Sequence, residues 1–195
     1  PIFRLKYEAA LQASISFFKA AGYTFDEATG KFTAAPEGAE MTYEVIIPGG
    51  GTGDHPAFGI LTAAKEALAT IGITLQINDP SDSSVWNNAL EANTAEMWAG
   101  AWSATVDPDM YQIYHSDNAN GKGTNSNHYS IEDADLDEMI IAARNSADQS
   151  YRKATYKECL ETILDWGVEI PTYQRQNAVV ISTERVNVST MTPDI

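Results

Sequence analysis

Asp107 and Asp109 flank Pro108 at the end of an apolar run, residues 99–106. Two carboxylates this close are the residue types of glycoside hydrolysis, one acting as acid and the other as base or nucleophile. The same pattern also suits a strand-end turn followed by a helix N-cap, because Asp oxygens accept from the first unpaired N–H groups of a helix. Trp102 lies just ahead. A large aromatic ring at the carboxyl end of a strand can wall a ligand, and Ser103 and Thr105 supply hydroxyls beside it. A core-filling role for Trp102 is the competing reading, since aromatic side chains dominate cores as well.

Other candidate chemistry is thinner. Gly49-Gly50-Gly51-Thr52-Gly53-Asp54-His55 follows a predicted strand and precedes a predicted helix, the position of a phosphate cradle. It lacks the Gly-Lys-Ser/Thr of a P-loop, and Asp54 repels phosphate, so a flexible connector is favoured over a nucleotide site. Asp133-x-Asp135-x-Asp137 begins like a calcium loop but has Glu138 and Arg144 where Gly and Glu are needed. Acidic residues at a helix start, favoured by its dipole, account for it better. His115 and His128 lack zinc-site spacing. Cys159 is the single cysteine; it falls on the apolar side of a helical pattern and reads as a buried small hydrophobe. With no Gly-x-Ser-x-Gly elbow, nucleophilic catalysis has no carrier. No cofactor and no metal are expected.

The elements that must position these residues alternate. An amphipathic helix is predicted over Tyr7–Ala21, with its apolar face at Ala10, Leu11, Ser14, Ile15, Phe18 and Ala21 and Gly22 as its stop. Short extended pieces at Tyr23–Phe25 and Lys31–Thr33 enclose a turn. Met41–Ile47 reads as a strand, Phe58–Ile71 as a helix, and Ile73–Ile77 as a strand: a βαβ crossover with parallel strands. Ser83 or Ser84 caps a helix through Glu91, and Met97–Ser103 forms a third strand. A short helix follows at Met110–His115. Helices Leu136–Asn145 and Tyr151–Trp166 come next, and strands Ile170–Tyr173 and Ala178–Ser182 close the sheet. The class is α/β. The long irregular segment Ser116–Ser130 exceeds ordinary loop length, which points to a functional role.

Bulk properties narrow the partners. The 195 residues are a prior for one domain, and 44% apolar content is enough for a real core. Twelve basic against 27 acidic residues give a net charge of −15, which opposes binding to nucleic acid or anionic lipid. No apolar run is long enough to span a bilayer.

Several motifs, in order, resemble a known family. Trp102 followed by Asp107-Pro108 resembles a segment of the extracellular solute-binding proteins of ABC importers, the oligopeptide/dipeptide/nickel-binding type (family 5). Ala20-Ala21-Gly22-Tyr23, Gly72-Ile73-Thr74-Leu75, Asn125-Ser126-Asn127-His128-Tyr129, Asp135–Ile140, Arg152–Tyr156 and Ile170-Pro171-Thr172-Tyr173 resemble further stretches of that family. The likeness runs from about Tyr7 to Asn187.

The resemblance implies a periplasmic binding protein-like class II lobe, with a mixed, mainly parallel sheet flanked by helices. It implies a non-enzymatic role: capture of a peptide or other small solute for an ABC permease, in the periplasm or lipid-anchored at the cell surface. Members of the family carry a signal peptide and usually exceed twice this length. The chain is therefore expected to be an excised large C-terminal lobe, lacking the N-terminal lobe of the same protein. Within it the expected segments are helix 7–21, βαβ core 41–103, cleft segment 99–130, helices and strands 135–182 and tail 183–195. Trp102, Ser103, Thr105 and Asp107 are expected to hold the ligand, with His55, Trp86, Asn127 and Tyr129 on the rim. One departure matters. Where peptide binders place an Asp three residues after the Trp, for the ligand's amino terminus, this chain has Thr105. Asp107 is the available substitute; without it a free amine forgoes an ionic partner worth about 1.5–3 kcal/mol. A carboxylate-dependent hydrolase and a surface module without a small ligand are the alternative functions.

Overall fold

Leu11, Ile15 and Phe18 recur at helical spacing, so one face of helix α1 (Ile2–Ala20) is apolar and packs on Tyr23, Phe32, Ile71 and Ile73. The helix begins at Ile2, ahead of the expected Tyr7. It stops where Gly22 and Tyr23 return their N–H groups to the carbonyls of Lys19 and Phe18, the paired bonds of a Schellman motif. Strands β1 (Thr24–Asp26) and β2 (Lys31–Ala34) follow as an antiparallel pair. Asp26 fastens their turn by accepting from the Ala28 N–H at 2.9 Å and the Thr29 hydroxyl at 2.7 Å.

A computed structural model of the chain describes residues 2–103, 105–174, 176, 178 and 180–191. It divides into two compact units, Pro1–Trp102 and Ser103–Ile195. The centre of the first is the βαβ crossover: β3 (Thr42–Ile46), α2 (Pro56–Thr70) and β4 (Thr74–Asn78). β3 and β4 are parallel, in register from Thr42↔Thr74 to Ile46↔Asn78. Helix α3 (Ser83–Glu91) leads to β5 (Met97–Trp98), which joins the other side of β3, giving the order β4-β3-β5. Val45, Ile47 and Leu75 bury against Phe58, Leu61, Ala64 and Leu68 of α2. Each such side chain removed from water contributes about 1.5–3 kcal/mol. The cap of α3 is Asp82 rather than Ser83 or Ser84; its carboxylate accepts from the Ser84 N–H at 2.9 Å.

The second unit is helical. One turn, α4 (Tyr111–Tyr114), is followed by a 3-10 turn at Ser116–Asn118, then α5 (Ala134–Arg144) and α6 (Gln149–Trp166). Leu136, Ile140 and Ala143 of α5 meet Tyr156, Cys159 and Ile163 of α6, with Ile131 completing the core. Cys159 is buried and unbonded to another cysteine, as its apolar position implied, and burial pushes its thiol pKa up. Asp133 caps α5, its carboxylate accepting from the N–H groups of Asp135 and Leu136, both at 3.1 Å. Asp148 does the same for α6.

Two expectations about the sheet need correction. The third strand covers Met97–Trp98 only, so Trp102 lies in irregular chain beyond its end. Ile170–Tyr173 is not a strand, and neither are the described residues of 178–182; Val179 lies outside the described residues. Ile170 is 84% and Val180 97% exposed, so neither segment has the buried face that turns β-propensity into a strand.

Candidate ligand-binding edge

Three segments of the first unit converge at the carboxyl ends of β3, β4 and β5: the glycine-rich loop, Asp79, and the run from Trp98 to Trp102. In parallel sheets this edge is where ligands bind. Trp86 projects to it from α3 and donates its indole N–H to the Ala99 carbonyl at 3.0 Å. Its ring meets Trp98 edge-on, centroids 6.3 Å apart. Gly100 permits this pairing: a Cβ there would lie 2.8 Å from the Trp98 ring and 3.2 Å from that of Trp86. Trp86 is thus half-buried and fixed, whereas the Trp102 side chain is 44% exposed.

The glycine-rich loop is organised around a carboxylate of the chain itself. Asp79, just beyond β4, accepts from the N–H groups of Gly51 at 3.1 Å and Gly53 at 3.2 Å. Backbone N–H groups two residues apart thus share one carboxylate, an anion-binding concavity filled by the chain's own side chain. Gly49 lets the carboxylate approach, because a Cβ there would collide with the Asp79 oxygens. The loop is therefore neither the unstructured connector favoured from sequence nor an open cradle. His55 closes it as the N-cap of α2, its Nδ1 accepting from the Ala57 N–H at 3.1 Å. A ligand contact from His55 would have to use the other ring nitrogen.

In the second unit, Ser103 and Thr105 are exposed, and the Thr105 hydroxyl donates to the Asp107 carbonyl at 2.6 Å. Ala104 lies outside the described residues. Asp107 has a partner within the second unit. Both its carboxylate oxygens accept from Nη2 of Arg152 at 2.7 Å, and the Arg152 side chain is only 11% exposed. The guanidinium also lies over the Tyr156 ring, 5.5 Å from its centroid. Asp107 is already paired, so it does not stand open as the substitute partner of a ligand amine. Asp109 accepts from the Tyr111 N–H at 3.1 Å and lies 3.4 Å from Nε of Arg144. The N-cap of α4 is Met110, which makes no side-chain cap bond, and the strand ends at Trp98, so Asp109 fastens a turn ahead of the helix rather than acting as the predicted cap.

Asn127 is a second correction. Expected on a rim, it is 0% exposed. Its carboxamide donates to the carbonyls of Tyr114, His115 and Ile131 at 3.3, 3.3 and 2.9 Å and accepts from the Ile131 N–H at 3.3 Å. Every polar atom of the side chain is spent on backbone. Tyr129 is half-buried and stacks on Tyr114, centroids 5.7 Å apart and planes 10° apart. Burial, followed by its hydrogen bond to Glu169, drives the Tyr114 pKa far up. His115, 8% exposed, uses Nδ1 to accept from the Asp117 N–H at 3.1 Å.

Sequence reasoning missed Asp79, Gly100 and Arg152. Gly100 carries a local signal, a glycine between aromatics that must pass close to a ring. Asp79 and Arg152 act across 26 and 45 residues of chain, and no periodicity reports such pairs. A groove of about 380 Å³ lined by Leu11, Ile15, Lys19, Phe25 and Ile71 lies at the other end of α2, away from the carboxyl edge. Among the described residues no group of three or more His, Cys, Asp or Glu is arranged to hold a metal, and no helix is long and apolar enough to cross a membrane.

This α/β arrangement is the lobe fold of the solute-binding proteins that serve ABC importers. The oligopeptide-binding protein AppA of Bacillus subtilis, solved with a nonapeptide, matches at TM-score 0.64 and 18% identity over 83% of this chain and 30% of its own. NikZ from Campylobacter jejuni, solved with Ni(L-His), matches at 0.63 and 17% identity over 81% of this chain and 30% of its own. A nickel ABC transporter protein from Bacillus halodurans matches at 0.55 and 18% identity over 81% and 31%. The chain thus spans about 30% of the length of the solved proteins it matches. No protein-family model matches it, and no curated protein does. The resemblance read from the motifs is shown at the level of fold.

Proposed function

We propose that the chain, residues 1–195, is one lobe of an extracytoplasmic solute-binding protein that captures a small solute and delivers it to an ABC permease. The remaining lobe of the same protein covers the carboxyl edge, and closure of the two jaws buries the ligand. At the carboxyl edge of the first unit Trp102 stacks on the solute, and Trp86 and His55 border it; in the second unit the exposed Ser103 and Thr105 offer hydroxyls and Tyr129 a ring as contacts of their own. No reaction is catalysed. The protein works in a periplasm or lipid-anchored at a cell surface.

The observation that carries this reading is the fold match over 83% of the chain to a protein solved with bound peptide. Trp102 and Thr105 are exposed, which leaves them accessible to a solute. The pairing of Asp107 with Arg152 bears on the solute. A peptide, if that is the cargo, is gripped through stacking and backbone rather than through its amino terminus at Asp107; a sugar or a metal chelate meets the same surface without that penalty. A thermal-shift panel of peptides, sugars and metal chelates on the natural protein tests the reading. Ligand at a hundredfold excess over its Kd stabilises by about 2.7 kcal/mol. Trp102→Ala is expected to remove most of the shift, and the absence of any shift across all three classes overturns the proposal.

A further inference from the structure

Asn120 and Gly121 are consecutive, both exposed, and both at positive φ, 52° and 80°. In an Asn-Gly pair the following backbone nitrogen reaches the side-chain carboxamide carbon with least hindrance, because glycine has no Cβ to obstruct it. We propose that Asn120 is a site of spontaneous deamidation, and that the hydrogen bonds of the folded loop hold the reaction back.

The chemistry needs only water. The Gly121 nitrogen loses its proton and bonds to Cγ of Asn120; the Cγ–Nδ2 bond breaks and the amide departs as ammonia, taking that proton. Water then opens the five-membered imide at either carbonyl, leaving aspartate or isoaspartate. One water is consumed and one ammonia released.

Three bonds oppose ring closure. The Gly121 N–H donates to Oδ1 of Asn125 at 2.7 Å, so the nucleophile is committed elsewhere. Asn120 Nδ2 donates to Oε1 of Glu132 at 3.0 Å. Asn120 Oδ1 accepts from the Ser130 hydroxyl at 2.7 Å. Held at both ends, the carboxamide cannot swing onto Gly121 until the loop opens. The native rate is then the intrinsic rate multiplied by the fraction of time spent open.

The product also works against the loop. A carboxylate replaces the donor that lay 3.0 Å from Glu132, leaving Lys122, at 2.9 Å, to balance two acids. Isoaspartate further inserts a methylene into the backbone immediately after Ala119, whose bridge to Asn127 ties the loop together. Deamidation therefore loosens the segment that carries Tyr129.

Incubation of the chain in mildly alkaline buffer, folded and in urea, followed by peptide mass mapping and isoaspartate assay, tests the proposal. Conversion is expected at Asn120, at least about tenfold slower in the folded chain. Asn125→Gly removes the acceptor while accommodating the φ of 53° there, and should speed the native reaction roughly two- to tenfold. Asn125→Asp keeps an acceptor oxygen and should stay slow; Asn120→Gln should abolish the signal. Equal rates in folded and unfolded chain, no acceleration in Asn125→Gly, equal acceleration in Asn125→Asp, or conversion elsewhere with Asn120 intact would each overturn it.

Discussion

Two polar loops, residues 48–55 in the first unit and 116–130 in the second, are built in opposite ways. The first turns its backbone N–H groups inward on a carboxylate, Asp79, and keeps most of its own residues at the surface. The second turns side chains inward: Asn118 and Asn127, 4% and 0% exposed, hydrogen-bond to the backbone of neighbouring turns. Both would pass as ligand sites on composition alone. What separates a site from a scaffold is whether the polar groups are already satisfied, and in both loops they largely are. Trp102, 44% exposed, contrasts with each of them in offering an aromatic ring at the surface.

The comparison is broken most severely at Asn127. Asn127→Ala should cost about 3 kcal/mol or more in urea unfolding, because it removes the side-chain partner of the buried Ile131 N–H and carbonyl and of the Tyr114 carbonyl. Asp79→Ala should cost less, about 1–2 kcal/mol, since the two N–H groups it releases lie close to water. If the order were reversed, the first loop, not the second, would be the structural one.

Asp133→Ala should cost about 1 kcal/mol as a lost N-cap, and its pH dependence is diagnostic. The Leu136 N–H, followed by the Trp166 indole N–H, holds the Asp133 carboxyl below its ordinary pKa. A carboxyl depressed in the folded state stabilises above its unfolded pKa and loses that contribution as pH falls through the folded one. The difference between wild type and variant should therefore shrink on acidification below about pH 4. Tyr23 gives the alkaline counterpart. Burial first, and its bond with Tyr43 second, push its pKa up to about 12. Its contribution is complete below the ordinary tyrosine value and is lost as pH rises from 10.0 to about 12; Tyr23→Phe should flatten that limb. Trp102→Ala should have the smallest stability effect, within about 0.5 kcal/mol, as expected for an exposed side chain.

Much of the fold is legible because its signals are local. The stripe Leu11–Ile15–Phe18, the strand–helix–strand spacing around α2, the buried face of α6 with Cys159, and the acidic start of α5 all read directly from periodicity and capping chemistry. The closing strands mislead because β-propensity at Ile170 and Val180 has no partner face to bury against. The polar pairings are illegible for a different reason. Arg152 with Asp107 and Asp79 with the glycine loop depend on distant segments meeting, which the residue pattern along either segment does not encode. The asparagine-rich stretch points to function by its length alone. Its non-glycine αL positions, Asn120, Asn125 and Ser130, are the sign of an ordered turn instead, and two of them are the asparagines that tolerate this conformation.

The most direct test of the transport reading is native mass spectrometry of the natural protein purified without added ligand, beside its Trp102→Ala variant. The account predicts a small solute that co-purifies with the wild type and is depleted or lost in the variant. A wild-type protein that stays empty even after incubation with peptides, sugars and metal chelates, or a solute retained equally by both proteins, would contradict it.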